Sequence, residues 1–323
     1  MRIPQIMAGV ATSVLMMGTS GAHAADTFPD KPVRLVVPQA PGGASDTLAR
    51  ILAQGLSEKW HQPVVVENRA GAGGNVGMDA VARAPADGYT LLMSYEGSHA
   101  INGAIYQDLP FNVQQDFAPV ATVAVLPFVA VTHPQSGLRS LNELVEAAHK
   151  SRLNYGSAGN GSVNHLLGEM FNASAGVKLV HVPYRGAAPA IQDLLGGRIH
   201  VVFTSLPSVK SFIDAHTLRA LAVTSAARTP AAPNVPTIAE SGYAPFDVNP
   251  WFGLFVPAGV APERITRINE DVNALLSDAA IAQKFAAQGA VPKASSPEDF
   301  RAQVDASITK WAKVVRESGA RMQ

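Results

Sequence analysis

The chain has 323 residues, of which 47% are hydrophobic and only 15% are charged. This composition excludes an intrinsically disordered protein, and the length is sufficient for two globular domains. The 25 Lys and Arg residues balance the 25 Asp and Glu residues, so the formal net charge is zero. Because the chain also lacks a basic run, we do not expect nucleic acid as a partner.

The first 24 residues have the pattern of a secretory signal peptide. Arg2 precedes an apolar, small-residue run at 6–18, and His23 lies between two alanines in the Ala-x-Ala pattern that signal peptidase cleaves. The run is shorter than the roughly 20 apolar residues that span a bilayer. We therefore expect cleavage after Ala24 and a soluble, exported protein.

The absence of cysteine limits where an exported protein of this kind would be retained. With no cysteine in the sequence, the chain carries no disulfide, no thiolate metal site and no lipid-modified Cys anchor. A soluble protein without an anchor is kept by a cell that has an outer membrane. A Gram-negative periplasm is therefore the expected compartment.

After residue 24, short β-type runs alternate with helical patterns. Strands are predicted at 33–37, 64–66, 89–93, 128–131, 153–155, 178–182, 199–203 and 218–223, with helices at 46–60, 76–83, 141–150, 163–174 and 187–195. This alternation predicts an α/β fold with mainly parallel sheets covered by helices. Helices at 265–276, 279–287 and 297–318 follow, and such a tail usually packs back on an earlier domain.

Loops that lead from strands into helices are the expected ligand-binding places of such a fold. The loop at 38–46 contains Gly42 and Gly43, which permit close approach of a ligand, and Ser45 or Asp46 can cap the next helix. Exposed N–H groups at a helix start favour an anion. An ordinary capped turn is the alternative interpretation.

A second loop, at 155–162, combines three glycines with two serines and Asn160 and has no charged residue. Such neutral donors suit a carboxylate better than a phosphate, which usually recruits Lys or Arg as well. A flexible loop is the alternative. In a third loop, at 182–186, Arg185 could contact an anion, remain solvated or pair between domains.

The sequence does not contain an assembled catalytic or metal-binding motif. Ser157 lacks the first glycine of a Gly-x-Ser-x-Gly nucleophile elbow. His165 and Glu169 share a helical face, but no second histidine lies at zincin spacing, and the loop at 71–75 lacks the Gly-x-Gly-x-x-Gly pattern of a dinucleotide site. We therefore expect no catalysis, no metal and no cofactor. A hydrolase using Ser157 and His165 is the enzyme alternative.

Together these segments resemble a known family, the solute receptors of tripartite tricarboxylate transporters, also called the Bordetella uptake or Bug family. The matching blocks are PVRLVVP (32–38), PGG (41–43) with Asp46, VVENR (65–69), GAGGN (71–75), DGYTL (87–91), SHAIN (98–102), NYGSAGNG (154–161) with His165, HVPYRG (181–186), LRALAVTS (218–225) and WFG (251–253). They span nearly all of the chain after residue 24, in the family's order.

The resemblance implies a type II periplasmic-binding-protein fold, in which two α/β lobes close on a ligand. Lobe 1 would comprise 25–126 and 249–323, and lobe 2 would comprise 127–248. It also implies an extracytoplasmic receptor, expected to be monomeric, that binds a small organic carboxylate and delivers it to membrane transporter subunits. A periplasmic sensor that presents its loaded form to a signalling protein is the alternative.

In the family, backbone groups and ordered waters of the two Gly-rich loops hold the ligand's carboxylate. Carried over, the expected binding residues are Gln39, Ala40, Gly42, Gly43, Ser45, Asp46, Ser157, Gly159, Asn160, Gly161, Ser162 and His165, with Glu96, Tyr184 and Thr204 beside them.

Three of these positions depart from the family's usual pattern. Position 39 is commonly aromatic but is Gln39 here, position 96 is commonly small or hydroxylated but is Glu96 here, and position 204 is commonly Asp but is Thr204 here. The family's usual short dicarboxylates and acidic amino acids therefore cannot be carried over directly. Whether Glu96 faces the cleft or is paired elsewhere stays open.

Overall fold

The computed structural model describes residues 28–106, 108–243 and 246–319. The expected signal peptide lies outside these residues. The strands are β1 Val33–Val37, β2 Val64–Asn68, β3 Thr90–Tyr95, β4 Phe117–Val125, β5 Phe128–Thr132, β6 Asn154–Ser157, β7 Val180–Pro183, β8 Val201–Ser205, β9 Arg219–Val223, β10 Trp251–Pro257 and β11 Val291–Pro292.

The helices are α1 Ala44–Trp60, α2 Asn75–Ala82, α3 Asn102–Ile105, α4 Leu141–Lys150, α5 Val163–Ala175, α6 Ala187–Leu195, α7 Leu206–Asp214, α8 Pro262–Leu276, α9 Ala279–Ala287 and α10 Pro297–Ser318. A π-helical turn, Gly97–Ile101, leads directly into α3. All eight predicted strands and all eight predicted helices overlap an element of the structure.

The described strands form two sheets, and each sheet defines one lobe. Lobe 1 contains a six-stranded sheet with the order β11-β4-β10-β3-β1-β2, and lobe 2 a five-stranded sheet with the order β7-β6-β8-β5-β9. β1 lies between two parallel neighbours, and four of its five residues are buried. A nearly continuous apolar run is typical of such a central strand. The predicted α/β architecture with two lobes is confirmed.

The expectation of mainly parallel sheets is wrong, because both sheets are mixed. β10 pairs antiparallel with β3 and with β4, and β5 pairs antiparallel with β8 and with β9. β4 and β10 were not predicted as strands. Both strands lie next to a segment that crosses between the lobes. The sequence pattern of a strand does not show whether it pairs parallel or antiparallel with its neighbours.

Two adjacent segments connect the lobes. The first runs from β4 to β5 and the second from β9 to β10. The two segments contact each other where the Leu126 N–H donates to the Pro250 carbonyl at 2.9 Å. Within the second segment, the Val248 N–H donates to the Thr224 carbonyl at 2.8 Å. The lobes are therefore joined by two hydrogen-bonded crossing segments.

The predicted packing of the helical tail on an earlier domain is confirmed. α8 packs against β4 and α1, and α10 packs against the π-helical turn and α3 in lobe 1. Phe300 of α10 sits so close to β10 that a Cβ added at Gly253 would lie 2.0 Å from its ring. α10 also contacts α5, so the tail touches both lobes.

Candidate functional site

The loop between β1 and α1 is organised by the carboxylate of Asp46. This buried carboxylate accepts hydrogen bonds from the Gly42 N–H at 2.9 Å, the Asn68 amide at 3.0 Å and the Arg50 guanidinium at 3.1 Å. Burial alone would raise the pKa of Asp46, but these hydrogen bonds hold it below its ordinary value. Asp46 therefore shapes the loop from inside, with its charge balanced by Arg50.

The start of α1 presents backbone N–H groups that the protein does not use. Its N-cap, Gly43, makes no side-chain capping bond, and the first helical bond runs from the Thr47 N–H to the Gly43 carbonyl at 3.0 Å. Within the described residues the N–H groups of Ala44, Ser45 and Asp46 have no partner. Free amides at the start of a 17-residue helix form an environment that favours an anion.

Gln39, Ser98 and the loop at 71–75 contact one another beside this helix start. Gln39 Nε2 donates to Ser98 Oγ at 2.9 Å, and Ser98 Oγ donates to the Gly73 carbonyl at 2.8 Å. A Cβ added at Gly74 would lie 2.6 Å from Ser98 Oγ, so only glycine fits there. The sequence analysis did not place Ser98 or Gly74 in the site. The position of loop 71–75, between a strand and a helix like the other loops, was the available signal.

In lobe 2, the side chains of loop 157–162 build the loop itself. Ser157 Oγ is buried, lies 2.5 Å from His181 Nε2 and accepts the Gly159 N–H at 3.0 Å. Ser162 caps α5 by accepting the His165 N–H at 3.2 Å. These hydroxyls are therefore engaged inside the lobe.

The backbone of the same loop remains available. No partner for the N–H groups of Asn160, Val163 and Asn164 is present among residues 28–106, 108–243 and 246–319. Asn160 is exposed, as are Ala40, Gly42 and Gly43 of the lobe 1 loop. Each lobe thus offers three unpaired amides at the start of a helix.

α3 and Tyr106 connect the loops of the two lobes. A Cβ added at Gly161 would lie 2.5 Å from Ile105 Cδ1, and one added at Gly73 would lie 2.9 Å from the Tyr106 hydroxyl. Gly73 in turn is bound to Ser98, which contacts Gln39. The Gly-rich loops of both lobes therefore lie around one short segment.

Tyr184 contributes its backbone to the site region, while its hydroxyl is used elsewhere. The Tyr184 N–H donates to the Ser157 carbonyl at 3.2 Å, and its hydroxyl donates to Asp193 at 2.7 Å. Burial, together with the hydrogen bond to Asp193, raises the pKa of Tyr184 to about 12. Arg185 is exposed.

Glu96 is paired with the C-terminal helix. The residue is 1% exposed. Its carboxylate accepts the Trp311 indole N–H at 2.7 Å and lies 3.3 Å from Lys310 Nζ. Of the two possibilities that the sequence left open for Glu96, the structure shows the paired one, with both partners on α10. Thr204 lies at the end of β8, and its buried hydroxyl has no partner in the described part of the chain.

No group of three or more His, Cys, Asp or Glu side chains in the described residues is arranged to hold a metal ion. None of the helices described is both long and apolar enough to cross a membrane.

A family model for the tripartite tricarboxylate transporter family receptor matches residues 48–320. The chain belongs to this receptor family. The protein BugT of Bordetella pertussis is 39% identical over 326 residues, which cover 100% of both chains. This similarity confirms the predicted relationship to the Bug proteins.

Solved structures of similar proteins have the same fold. An R. palustris protein solved with adipate is 37% identical with a TM-score of 0.82, covering 91% of this chain and 100% of that one. MatC from Rhodopseudomonas palustris with bound malate is 30% identical with a TM-score of 0.76, covering 89% of this chain and 100% of that one. The fold is therefore the two-lobed α/β fold of periplasmic solute-binding proteins.

Proposed function

We propose that this receptor binds a small organic carboxylate between its lobes and delivers it to a tripartite tricarboxylate-type membrane transporter. The observation that carries the proposal is the pair of helix starts, one in each lobe, with unpaired amides at Ala44–Asp46 and at Asn160, Val163 and Asn164. Because an anion is stabilised by such groups, one carboxylate shared by both loops would hold the lobes together.

The binding mode would be neutral, which favours a carboxylate over a phosphate. The nearby guanidinium of Arg50 is committed to Asp46, and the ammonium of Lys310 to Glu96. A phosphate usually recruits such a cation directly. We propose that the backbone of 40–46 and 158–164 contacts the carboxylate, with bridging waters where direct contact is too long.

The fifteen expected binding residues would then divide into two groups. Those proposed to contact the ligand are Gln39, Ala40, Gly42, Gly43, Ser45, Gly159 and Asn160, and Thr204 is proposed to border them with a buried hydroxyl that has no partner in the described residues. The other seven, Asp46, Glu96, Ser157, Gly161, Ser162, His165 and Tyr184, are proposed to hold these contacts in place through the hydrogen bonds of their side chains and of the Gly161 N–H.

We also propose that the receptor does not transform its ligand. The hydrolase alternative pairs Ser157 with His165, whereas Ser157 Oγ contacts His181 and the residue is 0% exposed. A nucleophile must reach its substrate, and a serine turned into the lobe does not.

The proposal also includes a periplasmic location after cleavage at Ala24 and a monomeric state. It assigns residues 25–126 and 249–323 to lobe 1 and residues 127–248 to lobe 2. The solved relative BugD is described as a periplasmic binding protein and is 32% identical. The proposed bounds agree with the membership of the two sheets.

Native mass spectrometry of receptor purified from its own periplasm would test the function directly, because a bound carboxylate would appear as a defined mass increment. Calorimetry with adipate and malate would follow, since relatives were solved with these acids. We expect a carboxylate to be retained or bound and recovered unchanged. Recovery of a chemically altered ligand, prevented by Ser157→Ala, would contradict a pure receptor.

A further inference from the structure

Two stacked histidines, His165 and His181, lie against the binding loop of lobe 2. Their ring centroids are 3.9 Å apart, and the ring planes are inclined by 14°. His165 belongs to α5, the helix that follows the loop, and His181 belongs to β7, which pairs with β6 on the other side of the loop. The pair therefore lies between α5, which follows the loop, and β7, the neighbour of the strand that precedes the loop.

Each ring holds a different end of the loop. His165 Nδ1 accepts the Gly161 N–H at 3.0 Å, and His181 Nε2 lies 2.5 Å from Ser157 Oγ. Gly161 has a φ of 73°, a left-handed conformation that its neighbours must hold in place. The loop backbone is thus tied to two imidazole rings instead of to charged side chains.

The hydrogen bond from Gly161 determines where His165 carries its proton. An Nδ1 that accepts a backbone N–H must present a lone pair, so the neutral ring has its proton on Nε2. Nε2 lies 3.9 Å from Glu169, whose carboxylate accepts the Tyr155 hydroxyl at 2.5 Å. A second proton on the ring would have to sit on Nδ1, directly opposite the Gly161 N–H.

We propose that His165 is a positioning residue for carboxylate capture: in its neutral form it fixes Gly161 and thereby directs the unpaired amides of Asn160, Val163 and Asn164 toward the ligand. His181 supports it by holding Ser157 and by stacking on the ring. This role rests on the proposed function. Protonation of His165 removes the acceptor, releases Gly161 and weakens binding.

The surroundings of the pair keep both rings neutral near pH 7. The titratable groups that face them are Tyr155 and Glu169, and Lys178 and Glu317 line the groove around Glu169. Burial lowers the pKa of His165, and the carboxylate of Glu169 offsets part of this effect. Burial, followed by the charge that His165 would carry, lowers the pKa of His181 to about 4.

Two substitutions of His165 separate its hydrogen bond from its bulk. In His165→Asn, the side-chain oxygen can occupy the position of Nδ1 and accept the Gly161 N–H, but it does not titrate. In His165→Leu, an apolar side chain fills a similar space and the hydrogen-bond acceptor is lost. His149→Asn, at an exposed position on α4, is the matched control for loss of a histidine.

Calorimetric titration of the full mature chain with adipate and malate, from about pH 8 to about pH 4.5, tests the proposal around the ordinary histidine pKa. We expect Kd to rise about tenfold or more in His165→Leu, and to stay within about threefold of wild type in His165→Asn and His149→Asn. In wild type and His149→Asn, affinity should fall on acidification by more than it does in His165→Asn. The change in His165→Asn measures the titration of the ligand itself, which all variants share.

Nitrogen chemical shifts of the His165 ring provide a readout that does not need a ligand. We expect Nδ1 without a proton and Nε2 with one at pH 7. A proton on Nδ1, an unchanged Kd in His165→Leu, or affinity that rises in acid only when His165 is present would each overturn the positioning role. Failure of both acids to bind the wild-type receptor would instead count against the proposed function.

Discussion

The loops at 39–46 and 157–162 have similar Gly-rich compositions but different internal supports. In lobe 1 the support is the carboxylate of Asp46, held by Arg50, Asn68 and the Gly42 N–H. In lobe 2 it is a set of neutral groups, the His165 and His181 rings with their serine partners. The proposed anion site therefore consists of one loop supported by a compensated charge and one supported by hydrogen bonds between neutral groups.

This difference predicts different responses to pH. The pKa of Asp46 is lowered, so its support persists until the pH falls below the ordinary aspartate value near 4. The pKa values of His165 and His181 are also lowered, but from an ordinary value near 6.5. By linkage, the stability that the lobe 2 support contributes should begin to decline below about pH 6.5, and that of the lobe 1 support only below about pH 4.

The largest effect is expected when the exposed backbone of the lobe 1 loop is covered. Gly43 has a φ of −82°, and a Cβ added there meets nothing closer than 3.8 Å, so Gly43→Val should leave the fold intact. Its side chain would occupy the space beside the free amides of α1. We expect Kd to rise about 100-fold or more, because a carboxylate that cannot approach loses both its hydrogen bonds and the helix-start charge.

Calorimetry with the retained or best-binding acid measures this effect. Ala261→Val is a suitable control, since Ala261 is likewise an exposed helix N-cap of lobe 1 without a side-chain capping bond, with φ −56° and ψ 134°, and begins α8. Unchanged affinity in Gly43→Val would place the ligand elsewhere.

The next largest effect concerns acid stability. Because the folded-state pKa of His181, about 4, is below the ordinary 6.5, the unfolded chain binds more protons between these values, and the free energy of unfolding should fall as pH decreases through this window. The full shift corresponds to about 3 kcal/mol, and solvent screening of the partly exposed ring reduces the expected decrease to about 2 kcal/mol, complete only below about pH 4.

Urea unfolding of wild type and His181→Gln at several pH values would measure this contribution. The amide of Gln can still bond Ser157, so the variant should keep its stability at pH 7 and show a smaller decrease in acid. His99, whose burial lowers its pKa to about 3, would account for part of the slope that remains. Identical slopes in the two proteins would show that His181 does not titrate in this window.

A smaller effect is expected from Asp46→Asn in lobe 1. The substitution keeps the shape but removes the charge that Arg50 balances, and it weakens the bond to the Gly42 N–H. We expect the free energy of unfolding to decrease by about 1–3 kcal/mol at pH 7. Glu58→Gln, which alters a hydrogen-bonded carboxylate on the exposed side of the same helix, should change it by less than about 0.5 kcal/mol. Equal losses in both variants would remove the special role of Asp46.

The smallest expected effect is discrimination between ligands. The carboxylates of Asp46 and Glu96 are already paired, and the side chain of Thr204 is a neutral hydroxyl. These three residues of the described site region therefore provide no unused negative charge for an α-ammonium group. Burying an unpaired ammonium is unfavourable. We expect carboxylates without an α-ammonium to bind about tenfold more tightly than aspartate or glutamate.

A thermal-shift panel can make this comparison, since ligand at 100 times its Kd adds about 2.7 kcal/mol of stability. Thr204→Asp should reverse the preference by supplying a charge. If α-amino acids stabilise the wild-type receptor more than their deaminated counterparts do, the pairing of Glu96 with Lys310 must open on binding, and Glu96→Gln becomes the informative variant.

The sequence by itself determined the features that depend on local order. Alternating apolar patterns identified eight strands and eight helices, and the helical tail was correctly expected to pack back on an earlier domain. The Gly-rich loops were visible because glycine is required where the backbone takes a left-handed turn, as at Gly161 and Gly74. The same short blocks carried the family resemblance.

Only the tertiary structure decided which side chains support these loops. Ser157 meets His181 across 24 positions of sequence, and Glu96 meets Trp311 across 215. The hydrolase alternative named His165 with Ser157, whereas the contact of Ser157 with His181 follows from the pairing of β6 with β7, which the sequence does not reveal. The mixed direction of both sheets was likewise hidden, since a strand's alternation of burial is the same whichever way its neighbours run.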